Sequence, residues 1–289
     1  MSNEYGRLYV VATPIGNLAD FSFRAVEVLK QVDWIAAEDT RHVRMLLQHY
    51  GITGKLMALH QHNEQKASTI LIDKMKEGLN VALVSDAGTP LLSDPGMPLV
   101  RMARDAGLCV SPVPGACALI AALSVAGLPV SRFIFEGFLP RTSSARKAFF
   151  KERLTSEVTW VFYESSHRIL ACLQDMAEVL PAERQLVIAR EMTKLHETIV
   201  KSRLDRMLER VAQDENMRRG EFVIIVDAAT VEKNNEELSD DQLSILKILM
   251  RECSIKTAAA MAAEITGGRK KTFYQAALEM SEKTRDKSV

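Results

Sequence analysis

Five short apolar runs in the first half of the chain are each followed by a polar turn and then by a segment of helical spacing. They are Leu8–Ala12, Trp34–Ala37, Lys55–His60, Val81–Val84 and Cys109–Val113. Few topologies accept such alternation, and it predicts a parallel sheet with helices on both faces. The carboxyl ends of parallel strands lie along one edge, where open α/β sheets hold ligands. Four of the turns carry Gly, Pro or charge: Pro14–Leu18, Glu38–Arg41, Ser85–Pro90 and Pro114–Cys117. Their expected convergence defines a cleft.

The densest of these stretches is Ser85–Gly96, reading SDAGTPLLSDPG. Gly88 and Gly96 allow backbone shapes closed to other residues, or a close ligand approach. Asp86 adds two acceptor oxygens and a negative charge. No Lys lies nearby and the spacing of a phosphate-binding loop is missing. The plain alternative is an ordinary strand-to-helix turn, which draws on the same residue types. Likewise Glu38, Asp39 and Arg41 either face the cleft or start a helix, whose N-terminus favours acids.

At 289 residues the chain has room for two domains and a small third. The expected boundaries are 1–130 for the parallel α/β domain, 131–230 for a second α/β domain and 240–289 for a helical module. In the second, strands are expected at Val158–Tyr163, Gln185–Ala189, Thr198–Ser202 (an edge strand) and Phe222–Val226, with fewer helices, hence a mixed sheet. A basic stretch there contains Arg141, Arg146, Lys147, Lys151 and Arg153; it is either a solvated helix face or a polyanion contact. Residues 227–241 are acidic and polar, a linker. Three helical patterns follow, the second capped by Ser254 and ended by Gly267-Gly268. Two short helices across a Gly turn resemble a helix-turn-helix. Arg269, Lys270 and Lys271 at the start of the last helix suit phosphate contact, the alternative being a simple helical cap.

Composition narrows the rest. No apolar run has membrane-spanning length, and Met1–Arg7 lacks a signal peptide's apolar stretch. Cys109, Cys117, Cys172 and Cys253 are scattered, which argues against a metal or disulfide framework and for a reducing cytoplasm. With 37 basic and 37 acidic residues, any nucleic-acid contact must come from local patches.

The motifs TPIGNL at 13–18, AEDTR at 37–41, SDAGTP at 85–90, SDPG at 93–96, GFLP at 137–140 and GE at 220–221 together resemble one family. It comprises the bacterial methyltransferases that modify a cytidine ribose 2′-oxygen of small-subunit (16S) ribosomal RNA, within the tetrapyrrole-methylase superfamily. The likeness spans nearly the whole chain. Ser166 stands where many members have Pro, and Cys117 where many have Ser. The resemblance implies two α/β domains of the class III methyltransferase type, S-adenosylmethionine in the cleft between them, a homodimer and no metal. It implies cofactor contacts from Pro14, Gly16 and Leu18, from Ser85, Asp86, Gly88 and Thr89, and from Gly115, Cys117 and Ala118. The second domain would add Tyr163, Ala189 and Gly220. RNA contacts would come from Arg141, Arg146 and Lys147 and from the tail cations.

A sulfonium-bound methyl group is already electrophilic, so the protein's main task is to align an oxygen behind it. Glu38, Asp39 and His62 are candidate bases for the hydroxyl proton, and Arg41 a candidate phosphate or transition-state clamp. Alternatively, positioning suffices and the proton leaves to water. Two rival functions remain at this level: a corrin or porphyrin methyltransferase, which needs no cationic tail, and a metabolite-sensing helix-turn-helix regulator.

Overall fold

A computed structural model describes residues 5–229 and 238–285, the side chains only as far as 281. The first half reads β1 (Arg7–Val11), α1 (Phe23–Gln31), β2 (Trp34–Ala37), α2 (Thr40–His49), β3 (Lys55–Ala58), α3 (Glu64–Lys76), β4 (Val81–Val84), α4 (Met97–Asp105), β5 (Cys109–Val113) and α5 (Ala118–Val125). Its strands form one sheet in the order β3-β2-β4-β1-β5. Every pairing in it is parallel, as the alternation predicts. Side chains alternate across the sheet. Ile35, Ala37, Ala82 and Val84 face α1 and α2 through Leu29, Val43 and Leu47. Ala36, Val81 and Leu83 face α3 and α4 through Leu71, Met75 and Leu99. Local signals start the helices: the Ser22 hydroxyl accepts from Ala25 N–H at the head of α1, and the Asp39 carboxylate accepts from Arg41 N–H at the head of α2.

The second half contains β6 (Phe133–Phe138), α6 (Ser143–Glu152), β7 (Thr159–Ser165), α7 (Ile169–Ala177), β8 (Gln185–Arg190), β9 (Thr198–Arg203), α8 (Leu204–Gln213) and β10 (Glu221–Val226). The sheet order is β6-β7-β10-β8-β9. It is mixed: β6 runs parallel to β7 and the other pairs are antiparallel. One face carries α6, α7 and α8 over a core that includes Phe150, Trp160 and Phe162. The other face takes α5, whose Leu119, Ala122 and Leu123 pack on Val161, Val187, Val223 and Ile225. A helix of the first half therefore belongs to the core of the second sheet, and residues up to 229 form one compact unit.

Helices α7 and α8 were not expected from the sequence. Neither has a capping side chain at its N-terminus, and α8 follows β9 with no residue between, so the usual punctuation is missing. The expected linker 227–241 falls largely outside the described residues.

A second compact unit follows residue 229. Its helices are α9 (Asp240–Glu252), α10 (Ile255–Thr266) and α11 (Lys270–Arg285). Ser239 and Gln242 cap α9 reciprocally, Ser254 caps α10, and Gly267 ends α10 at φ +72°. A core of Leu246, three alanines of α10, Phe273 and Ala277 holds them together. Arg269, Lys270 and Lys271 are exposed. Among the described residues no helix is long and apolar enough to cross a membrane.

Candidate active site

The turns after β1, β4 and β5 do meet. Thr13 and Gly88 exchange backbone hydrogen bonds of 2.9 and 3.1 Å, which ties the exit of β1 to the exit of β4. Buried Ser85 donates to the Gly88 carbonyl at 3.0 Å, and Thr89 donates to the Ala116 carbonyl at 3.1 Å, drawing in the exit of β5. Gly88 sits at φ +81°, where a Cβ would lie 3.2 Å from Ile15 Cγ2. The turn after β2 joins through Asp39, whose N–H donates to Asp86 Oδ1 at 3.1 Å.

These turns form one wall of a cavity of about 420 Å³, a size suited to a nucleoside-sized ligand. Ile15, Gly88, Thr89, Cys117 and Ala118 line that side. Tyr163, Met192, Gly220 and Val223, from the second sheet and its loops, line the other. Tyr163 packs edge-on against Phe135 and Phe138. Burial pushes its hydroxyl up to about 12, so it stays protonated at neutral pH. A second cavity of about 510 Å³ shares Ile15, Asp86, Ala87 and Glu221 with the first. Pro14, Gly16, Leu18, His42, Val43, Met45, Leu46 and Lys194 complete it. Lys194 bridges Glu191 and Glu221 at 2.9 Å each, fixing the far rim.

Three of the expected cofactor residues stand behind the walls rather than in them. Ser85 spends its hydroxyl on the loop. Gly115 gives room to Ala12, whose Cβ would lie 3.0 Å from an added Cβ. Ala189 is buried within β8. The rest of the expected set lines one cavity or the other.

The expected bases fare differently. Asp39 grips Arg41 through both carboxylate oxygens, at 3.1 and 2.8 Å. The Arg41 side chain, and the backbone N–H groups beside it, hold the Asp39 carboxyl well below its ordinary range, making it a poor proton acceptor. The Arg41 guanidinium stays 89% exposed. His62 is exposed beyond β3, the sheet's edge strand, with its ring facing His60, and it lines neither cavity. Glu38 is half-buried behind the wall, and burial followed by the Asp86 charge raises its pKa.

One carboxylate was missed. Asp94 lines the first cavity. Desolvation first, then the charges of Glu38 and Asp86, push it up to about 6. Its loop is strained, with Leu91 at φ +76° and Ser93 at φ +75°; such strain in non-glycine residues collects at functional sites. The motif SDPG contained the residue, but only the fold supplies its burial and its acidic neighbours.

Arg146 corrects another expectation. It is 4% exposed and bonds Asp175 through Nε at 2.8 Å and the Arg141 carbonyl at 2.9 Å. It is an internal strut of α6 and α7, not an RNA contact. Lys147 is turned to Glu178 at 2.6 Å, whereas Arg141 is exposed.

Comparison with known proteins agrees with this architecture. Residues 7–208 match the family of tetrapyrrole (corrin/porphyrin) methylases. Residues 236–281 match the RsmI C-terminal HTH domain. The ribosomal RNA small subunit methyltransferase I of Escherichia coli O157:H7 is 52% identical over 96% of both chains. The chain belongs to the tetrapyrrole methylase family, in its ribosomal RNA small subunit methyltransferase I branch. The member of that branch from Haemophilus influenzae is 50% identical over 98% of this chain and 100% of its own. Among solved tetrapyrrole methylases, the uroporphyrin-III C-methyltransferase of Thermus thermophilus has the same fold (TM-score 0.50, 18% identity, 76% of this chain and 97% of that one). That protein was solved with S-adenyl homocysteine.

Proposed function

We propose that the protein transfers a methyl group from S-adenosylmethionine to the ribose 2′-oxygen of a cytidine in small-subunit (16S) ribosomal RNA. The observation that carries this reading is the cavity at the joined exits of β1, β4 and β5, in a chain half identical to ribosomal RNA small subunit methyltransferases over its full length. A porphyrin or corrin substrate finds less support, since the resemblance to enzymes of those compounds is distant.

The residues present fit the cofactor. Gly88 presents bare backbone where a side chain would intrude, Ile15, Ala118, Met192 and Val223 give apolar walls, and Asp86 and Thr89 offer polar groups. S-adenosylmethionine supplies an activated methyl group on sulfur. The chain's own work is to orient, to exclude water and to bring the hydroxyl oxygen in line. Asp86 stands between the two cavities and is fixed by Asp39 N–H, so it separates donor from acceptor. The second cavity, with Leu18 and Met45 for the base and Arg41 close by for phosphate, receives the acceptor nucleotide once unstacked. Arg269, Lys270 and Lys271 add phosphate contacts from the tail.

The same reading includes an assembled small subunit as substrate, a cytoplasmic setting and a boundary near residue 130 between the two α/β halves. It also includes a homodimer: Ile120 and Val125 on α5 and Phe133 and Ile134 on β6 leave apolar surface for a second copy. Light scattering coupled to size exclusion tests the dimer.

The reaction is tested by incubating small subunits, free RNA and tetrapyrroles separately with labelled cofactor. A methylated 2′-oxygen cannot attack the adjacent phosphate, so the product resists alkaline cleavage there. The expected result is one alkali-resistant cytidine, confirmed by mass spectrometry. Methyl groups on bases only, or no RNA product from intact subunits, overturn the assignment.

A further inference from the structure

An attacking ribose hydroxyl must lose its proton, and Glu38, Asp39 and His62, the groups expected to take it, line neither cavity. Methyl donor and acceptor oxygen can meet only where the two cavities touch. Four residues line both: Ile15, Asp86, Ala87 and Glu221. Two of these carry a carboxylate. Glu221 is 78% exposed and its Oε2 accepts from Lys194 at 2.9 Å, so a cation already neutralises it. Asp86 is half-buried, and among the described residues no cation pairs with it. Its Oδ1 accepts from Asp39 N–H at 3.1 Å, which fixes the carboxylate and leaves Oδ2 unengaged. The other titratable groups reach one cavity alone. Asp94, Cys117, Tyr163 and Glu164 line the first, on the side of the methyl donor. His42 and Lys194 line the second. Burial opposes the charge on Lys194, but hydrogen bonds to Glu221 and Glu191 outweigh it and raise its pKa, so Lys194 keeps its proton and only donates.

We infer that Asp86 is the proton acceptor for the attacking ribose hydroxyl, through its unengaged Oδ2, an inference that rests on the function proposed above. As the oxygen forms its bond to the methyl carbon, the carbon–sulfur bond breaks and its electron pair stays on sulfur, leaving a neutral thioether. The O–H electron pair stays on the ribose oxygen and the proton passes to Asp86 Oδ2, which releases it to solvent after product leaves. The surroundings of Asp86 are charged on every side. Glu38 and Asp39 approach from the end of β2 and Asp94 from the loop after β4. His42 of α2, and Lys194 and Glu221 from the second half, share the second cavity with it. A carboxylate held by a backbone N–H at the junction gives the hydroxyl one fixed direction in which to lose its proton, opposite the task of aligning its lone pair on the methyl carbon.

The test follows single turnovers of the full-length protein on small subunits from pH 7 to 9, with S-adenosylmethionine at a concentration that calorimetry shows to saturate each variant. Over this range Asp94, pushed up to about 6, is ionised, and Tyr163 and Lys194 stay protonated. With a carboxylate as acceptor the wild-type rate should be flat. Asp86→Asn keeps an oxygen for Asp39 N–H but cannot take a proton, so hydroxide must take it. The rate should drop by roughly 10²-fold at pH 7 and then rise tenfold per pH unit. Formate should speed Asp86→Ala and leave the wild type unchanged. Glu221→Gln and His42→Ala, which remove the two other acceptors in the second cavity, should keep the flat profile whatever their rates. A flat profile in Asp86→Asn, or a hydroxide-dependent one in Glu221→Gln or His42→Ala instead, overturns the inference while ribose methylation stands. Absence of any ribose product from the wild type overturns both.

Discussion

Asp94→Asn should make the protein more stable at pH 8 and leave it unchanged at pH 3. Asp94 is raised from 3.8 to about 6 on folding, so the folded state binds this proton more tightly than the unfolded chain. Its favourable contribution is complete below about pH 4 and is lost as pH climbs through about 6. The gap is roughly two pH units at 1.36 kcal/mol each, about 3 kcal/mol for a fully shielded group. Asp94 is only part-buried, and solvent screening leaves about 1–2 kcal/mol. Asn resembles the protonated acid and carries no such penalty. For a unit of this size the gain at pH 8 is a rise in melting temperature of roughly 3–6 °C. Thermal melts followed by circular dichroism at both pH values measure it. An equal shift at both, or a loss at pH 8, refutes the argument that Asp94 is held against its charge.

Three further outcomes are expected. Gly88→Ala places a methyl group 3.2 Å from Ile15 in a left-handed conformation, so titration calorimetry should record at least a tenfold loss of S-adenosylmethionine affinity, with about 1–2 kcal/mol of strain lowering the melting temperature. Arg146→Ala takes the nearest cation from buried Asp175 and leaves it Ser143 and Lys147, and denaturant unfolding should show a loss of about 3 kcal/mol, the low end for a broken buried pair, whereas RNA affinity of the folded variant should hold. Replacing Arg269, Lys270 and Lys271 by Ala should weaken RNA binding and lower the salt slope by roughly 0.7 for each lost phosphate contact, leaving cofactor affinity unchanged; filter binding across a salt series measures both.

Much of the site's location was legible in the sequence because a parallel sheet leaves little choice about where strand exits gather. Pro14–Leu18, Ser85–Pro90 and Pro114–Cys117 carry their turn chemistry in residues that need no tertiary context to be noticed. What escaped was set by contacts far along the chain. Asp94 looks like a turn aspartate until Glu38, some fifty residues earlier, is brought beside it. Arg146 looks like one cation among five until Asp175 arrives from α7 and closes on it. Asp39 looks like a base and is neutralised locally by Arg41, a pairing that spacing alone does not distinguish from two groups aimed at a substrate.

The strand order of the first sheet also bears on how the chain is made. β1 is the first strand to be synthesised, yet Leu8 finds its partners only in Val81 and Val110. Until residue 113 has left the exit tunnel, the apolar segment Leu8–Val11 has at most one of its two flanking strands. At about 5–20 residues per second that interval lasts roughly 5–20 s, long compared with hydrophobic collapse. Only β2 and β3 can pair early, and the exits of β1, β4 and β5 cannot meet before then. The nascent protein must therefore be shielded from aggregation through about a third of its translation.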